Sequence, residues 1–384
     1  MQGSYSRWAY PAAYLLFVLA WIFLCSPWLG GELTIPYDAK AHFQAQLQFL
    51  ANALHSGQSP FWAPNVFAGS PQIADPQSLI FSPAILLAYL NSEPSFTAVD
   101  AYVFSLLGCA GCAVLSFFRD RNWHPAGGII AALAFAFGAS AAWRVQHIGQ
   151  VQSYALFPVT LWLLERTMRR CSVVWAVGAG LGIGLMIVEP NQVALLAGYI
   201  LVALAVTRVL RDPAPRRLLL PIGSAIVVAL LVASVPVILI YLFVEASNRP
   251  AIAFYEAVRG SLHPASLLTA VIGDLYGALD PAVEYWGPYS LAWNPANLAL
   301  SQNMSQLYVG IIPVLLLLTT GIVRGIAWAK EIRIYTLALL AMQASCAASS
   351  AARAEPVSRK PSQISDRSAS ASPDAWSDRR PCSQ

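Results

Sequence analysis

Residues 218–244 read Leu218-Leu-Leu-Pro-Ile-Gly-Ser-Ala-Ile-Val-Val-Ala-Leu-Leu-Val-Ala-Ser-Val-Pro-Val-Ile-Leu-Ile-Tyr-Leu-Phe-Val244, without one charged side chain. As a helix this run extends about 40 Å, more than the roughly 30 Å hydrocarbon thickness of a bilayer. It has no polar face to offer water, so it reads as a membrane span. Outward from it, the same apolar signature recurs at 11–29, 97–118, 125–142, 151–165, 172–188, 191–207 and 306–323, with a weaker ninth run at 331–343. The segment 79–90, interrupted by Pro83, is too short to cross and reads as a re-entrant or interfacial piece. The first run is long for a signal sequence and no small-residue cleavage pattern follows, so it reads as a retained anchor. Composition agrees: of 384 residues 57% are hydrophobic and 11% charged, with mean hydropathy +0.56. Soluble domains carry about 25% charged residues. The expected fold is therefore an all-α polytopic membrane protein with eight or nine transmembrane helices, and a soluble enzyme is excluded. The net charge of +4 forms no nucleic-acid footprint.

Basic residues set the orientation. With the N-terminus cytoplasmic, Arg7, Arg119, Arg121, Arg166, Arg169, Arg170, Arg208, Arg211, Arg216, Arg217, Arg324, Lys330 and Arg333 fall inside, against Lys40, Arg144, Arg249 and Arg259 outside. Two large loops, about 30–78 and 245–305, then face outward, and the short inner loops leave no room for a site. Residues 1–343 form the multi-span domain. Residues 344–384, with eleven Ser and nine Ala and no apolar period, read as a disordered tail. They follow an apolar stretch that stops short of a span, which suggests a frameshifted or truncated end.

Chemistry is sought in the outer loops. In Ile35-Pro-Tyr-Asp-Ala-Lys-Ala-His-Phe-Gln44, Asp38 sits just beyond the first span, where a carboxylate can act as a general base toward a hydroxyl. His42, four residues on, shares its face if the segment is helical, and Lys40 offers a cation for a phosphate. Asp38 is also a natural N-cap for a helix over 39–54. Residues 57–78 contain four prolines and two glycines, which predict a defined loop. Its Trp62, Asn65, Gln72, Asp75 and Gln77 offer stacking and hydrogen-bonding groups suited to sugars, or else fold the loop onto the headgroup region. Other signals are weaker. The six cysteines lie too far apart for a disulfide framework, and Cys109 and Cys112 read as small residues of a packed helix. Gly178-Ala-Gly-Leu-Gly-Ile-Gly184 follows no strand, so helix packing is favoured over a dinucleotide site. Asn303-Met-Ser305 is a formal glycosylation sequon, and Asp100 and Glu165 are acids near span ends. No His or carboxylate spacing resembles a metal motif, so no metal or other cofactor is assigned, although a divalent ion is conceivable at the outward carboxylates.

The motifs Asp38-x-Lys-x-His-Phe43, Pro60-Phe-Trp-x-Pro64 and Phe67-Ala-Gly-Ser-Pro-x-x-Ala-Asp-Pro-Gln77 resemble those of the YfhO-like bacterial membrane proteins, relatives of the GT-C glycosyltransferases. The resemblance continues through Arg144-Val-Gln-His-Ile-Gly-Gln150, Leu161-Trp-Leu-Leu-Glu-Arg166, Glu189-Pro-Asn-Gln192, Tyr285-Trp-Gly-Pro288 and Gln302-Asn-Met-Ser-Gln-Leu-Tyr-Val-Gly310, covering about residues 10–325. Where the family carries Gly-His-Pro-Gln after the fifth span, this chain has Val188-Glu-Pro-Asn-Gln192, so Glu189 departs from the pattern. The resemblance implies a bacterial plasma-membrane enzyme. Its donor would be a polyprenyl-phosphate-linked sugar, its acceptor a cell-envelope glycan or glycolipid at the outer face, and its membrane lipids part of the site. It implies a base at the position of Asp38. A cation for the leaving phosphate is then offered by Arg144 with His147, or by Lys40; Arg144 as a snorkelling interfacial arginine is the alternative. Gln150, Glu189, Gln192, Tyr285 and Trp286 join the substrate-binding candidates, and in the second loop Glu256, Asp274, Asp280, Glu284 and Trp286 either line an acceptor side or belong to a folded noncatalytic cap.

Two other classes remain open at this point. A transporter or flippase of lipid-linked saccharides would place ionisable residues at mid-membrane depth in repeated halves, and no internal repeat is evident. A noncatalytic partner in envelope assembly is the third.

Overall fold

The computed structural model describes residues 5–66, 68–247, 264–277, 285–287, 307–308, 310–313 and 315. Its long elements are all helices. They are α1 (Ala9–Leu29), α2 (Ala45–His55), α3 (Ile85–Leu90), α4 (Phe96–Asp120), α5 (Pro125–Phe137), α6 (Ala139–Ala142), α7 (Ile148–Arg170), α8 (Val173–Ile187), α9 (Gln192–Arg211) and α10 (Arg216–Ala246). A π-helical turn, Ala39–Gln44, leads into α2. Local chemistry marks several starts: the Ser95 side chain accepts from Ala98 N at α4, His124 precedes Pro125 at α5, and Asn191 accepts from Ala194 N at α9.

Among the described residues five helical stretches are long and apolar enough to cross a membrane: Ala9–Leu29, Phe96–Asp120, Pro125–Ala142, Gln192–Arg211 and Arg216–Ala246. The apolar runs at 151–165 and 172–188 become α7 and α8. At 15 residues α8 is short. The more polar α7 lies inside the bundle against α4, α8, α9 and α10. A helix covered by other helices needs no apolar coat, provided its polar groups find partners. Most of the run at 306–323, all of that at 331–343 and the tail 344–384 lie outside the described residues, as does most of the loop 245–305.

The core joins α1 to α4. Phe17 is fully buried against Gly111, Trp21 Nε1 donates to Phe104 O at 2.8 Å, and the Tyr14 and Ser116 hydroxyls lie 2.6 Å apart. Asp100, near the start of α4, accepts from Ile35 N at 3.2 Å and so ties the chain leaving α1 to α4. Glu165 receives Arg121 at 2.8 Å and Arg208 at 3.0 Å, while Asp120 is held by Arg166 and by Trp162 Nε1. Asp100 and Glu165 are thus structural ties.

The glycine-rich run packs helices, as its setting predicts. A Cβ on Gly180 would meet Ala225 O at 2.5 Å, and one on Gly184 would meet Val232 Cβ at 2.6 Å, both on α10. Gly182 faces Thr160 of α7. Gly184→Val should therefore force α8 off α10 and cost about 1–3 kcal/mol, read as a lower melting temperature in detergent. Gly198→Ala, on α9 with nothing within 4 Å of its Cβ position, should leave the melt unchanged.

Candidate functional site

Helix direction separates two chemistries. α7 runs about 35 Å from His147 to Arg170, α8 returns from Val173 to the Glu189 connection, and α9 leaves again from Gln192. One end of the bundle collects most of the arginines, and the other collects Arg144, His147, Gln150, Glu189 and Gln192.

Asp38 follows Tyr37, whose φ is +58°, and opens the π-helical turn with helical backbone angles. Its side chain makes no capping bond, so the expected N-cap role is not taken up. Nor does its carboxylate turn to His42. Oδ2 lies 3.2 Å from Nδ1 of His147, with Asp38 about half exposed and His147 mostly covered. His147 precedes α7 in extended conformation and likewise caps nothing. Burial holds the His147 imidazolium below the ordinary histidine range; Asp38 opposes this, while Arg144 and His42 add to it. The ring is therefore neutral near pH 7. A carboxylate can only accept, so the proton sits on Nδ1 and the lone pair on Nε2.

His147 lines a cleft of about 360 Å³ whose walls also include Phe43, Gln77, Gln150, Glu189 and Gln192. Arg144 stands beside it, donating from Nη1 to Gln150 Oε1 at 3.1 Å. Glu189 lies in the connection between α8 and α9, 5% exposed, with Oε1 buried and unpartnered. Its other oxygen occupies the space a Cβ on residue 149 would need, which is why glycine stands there. Burial pushes the Glu189 carboxyl up to about 8, helped by the negative charge of Asp75 and partly offset by the Ser82 hydroxyl. It is a neutral acid at pH 7.

Groups that the sequence did not single out tie this end together. Asn191 Nδ2 donates to Glu189 O at 2.7 Å, to Ser153 Oγ at 2.9 Å and to Gly149 O at 3.2 Å. Gln152 accepts from Ser82 Oγ at 2.7 Å and from the Tyr102 hydroxyl at 3.2 Å, and donates to Leu185 O at 2.8 Å. In a bilayer, each such bond replaces one that water would otherwise make. The only signal available beforehand was the presence of amides and hydroxyls inside an apolar run.

Other candidates fall elsewhere. Lys40 Nζ lies 5.8 Å over the Phe96 ring. Trp62 packs on Gly69, Asn65 is exposed, and Gln72 is buried, accepting from Gln46 Nε2 at 2.7 Å. None of these lines the cleft. Asp75 acts through the backbone: its Oδ1 accepts from Gln77 N at 2.8 Å and fixes the turn that presents Gln77. The His42 ring packs 4.9 Å from that of Phe43, and its Nε2 is buried without a partner. Trp286 stacks edge-on to Tyr276 at 5.2 Å, and neither it nor Tyr285 lines the cleft. Glu256, Asp280 and Glu284 lie outside the described residues. Among the described residues no group of three or more His, Cys, Asp or Glu side chains is placed to hold a metal ion. Compared with family models, with curated proteins and with solved structures, the chain matches none, so its functional reading rests on the chemistry of this cleft.

Proposed function

We propose that this chain is a membrane glycosyltransferase of GT-C type, YfhO-like, in the bacterial plasma membrane. It moves a sugar from a polyprenyl-phosphate donor to a cell-envelope glycan or glycolipid at the outer face. What supports the reading above all is the Asp38–His147 pair at a cleft walled by uncharged hydrogen-bonding groups. Sugars are recognised by such groups, and the buried Glu189, protonated, adds a donor without adding a charge. The eight- or nine-span topology with the N-terminus inside goes with this reading: it puts the arginine-rich end in the cytoplasm and the cleft outside, where a lipid-borne donor meets an envelope acceptor.

The mechanism follows from the groups. The acceptor hydroxyl loses its proton to the Asp38–His147 pair, His147 Nε2 taking it and the Asp38 carboxylate balancing the new charge. The acceptor oxygen bonds to the anomeric carbon as the bond from that carbon to the phosphate oxygen breaks. Polyprenyl phosphate leaves with the electron pair, and the Arg144 guanidinium beside the cleft stabilises it.

The test uses the full chain in proteoliposomes with a polyprenyl-phosphate hexose labelled in the sugar and a glycolipid acceptor. Label should appear in the acceptor as polyprenyl phosphate is released in equal amount. Label that crosses the bilayer without transfer would replace this reading with the flippase, and label that does neither would remove both.

A further inference from the structure

At the opposite end of the bundle, a second cleft of about 240 Å³ opens between the last turns of α7 and α9 and the first turn of α10. At about 30 Å³ per water it holds some eight waters, enough for a phosphodiester and part of its shell. Arg169, Arg208, Arg211 and Arg217 line it, with Asp212 on the rim and the buried Met168 and Leu218 below. We propose that this cleft binds the phosphate of an anionic phospholipid headgroup, at a site separate from the sugar cleft and independent of its chemistry.

Charge is the first support. Among the described residues four guanidiniums line the cleft, and the two carboxylates beside them, Asp212 and Glu165, are already engaged. Asp212 accepts from Ala214 N at 2.9 Å through Oδ1 and from Arg217 at 2.9 Å through Oδ2. Glu165, behind the wall, takes Arg208 at 3.0 Å together with Arg121. Arg169 spends one N–H on Asp120 O at 2.8 Å. A guanidinium has five N–H donors, so these bonds orient Arg169, Arg208 and Arg217 and leave donors over. Arg169 gives its bond to a backbone carbonyl and Arg208 shares one carboxylate with Arg121, so positive charge is left over, fixed in direction by its own partners, which suits a phosphate.

The second support is what surrounds the arginines. Leu210, Leu219 and Leu220 flank them in the chain and are 79%, 64% and 71% exposed. An inorganic phosphate gains nothing from these side chains, whereas a lipid lays its acyl chains along them while its phosphate reaches the arginines. Basic pockets between spans take lipid headgroups in this way.

The experiment is native mass spectrometry of the full chain in detergent, titrated with phosphatidylglycerol or phosphatidylcholine. Phosphatidylglycerol should be retained at least about tenfold better. Arg211→Gln combined with Arg217→Gln should lower its retention about 10- to 30-fold. Arg119→Gln combined with Arg170→Gln, two exposed arginines of the same end outside the cleft, should leave it within about twofold. Asp212→Asn, which frees Arg217, should strengthen retention and so tests the cleft even if the double variant fails to fold. Equal losses from the two arginine pairs, or an unchanged Asp212→Asn, would overturn the proposal. Displacement of the lipid by millimolar inorganic phosphate would overturn its assignment to a headgroup.

Discussion

His147→Ala should lower sugar transfer by about 10²- to 10⁴-fold while donor binding changes little, because it removes the proposed proton acceptor and leaves the amide walls of the cleft in place. Asp38→Asn should come close to the same loss although it keeps the shape of the side chain. A carboxylate can only accept from His147 Nδ1, 3.2 Å away. A carboxamide can turn to donate there, which moves the ring proton to Nε2 and removes the lone pair that the acceptor hydroxyl needs. The pH profile separates this from a structural effect. Transfer by the natural chain should fall as acid protonates His147, with a midpoint below the ordinary histidine value of about 6.5, since burial dominates there. The negative charge of Asp38 raises that midpoint, so in Asp38→Asn the residual activity should survive to lower pH. Turnover in proteoliposomes across pH 4.5–8, with a melt to show that each variant folds, is the measurement. Unchanged turnover in His147→Ala would remove His147 as the base, and an acid limb that does not move in Asp38→Asn would remove the pairing.

Much of the architecture was legible because a bilayer imposes a length. The runs at 11–29, 97–118, 191–207 and 218–244 recur as α1, α4, α9 and α10 within a few residues at each end. The run at 151–165 gave only the middle of α7, since Gln150, Arg169 and Arg170 lower the hydropathy of ends that nevertheless stay helical. The site was legible in parts. Asp38 stood out by its place after the first span, but its expected neighbour was His42, by α-helical spacing. The π-helical turn breaks that spacing, and the partner comes from a stretch more than a hundred residues away. Composition does not place a side chain. Trp62, Asn65 and Gln72 look like sugar-binding groups, yet Gln72 is committed to Gln46 and the other two stay off the cleft. The glycine run was read correctly because its setting, with no strand before it, left packing as the better use.

Glu189→Gln should raise stability at pH 8 by about 3–5 kcal/mol and leave it unchanged near pH 4. The sign follows from where the proton sits. An unfolded glutamate titrates near 4.3, while burial in the folded chain pushes this carboxyl up to about 8. Below about 4.3 both states hold the proton and the group costs nothing. As pH rises between the two values, the unfolded chain releases a proton that the folded chain keeps, so stability drains away and levels off above about 8. Glutamine has no proton to release, so the variant's stability should lack this slope. Melts in detergent across pH 4–9 read the difference directly, and parallel curves for the two proteins would show that Glu189 is not held neutral. Activity then tests what the neutral group does. The amide of glutamine offers an N–H where the acid offered an O–H, so transfer at pH 7 should stay within a few-fold of the natural chain. The decline expected of the natural chain above pH 8, as a buried charge forms beside Gly149 and Asn191, should disappear in the variant. A variant that folds, melts higher and yet transfers no sugar at pH 7 would mean that Glu189 must give up its proton during the reaction. It would then be a second acid in the mechanism, and its orphaned Oε1 would be the atom to place against the substrate.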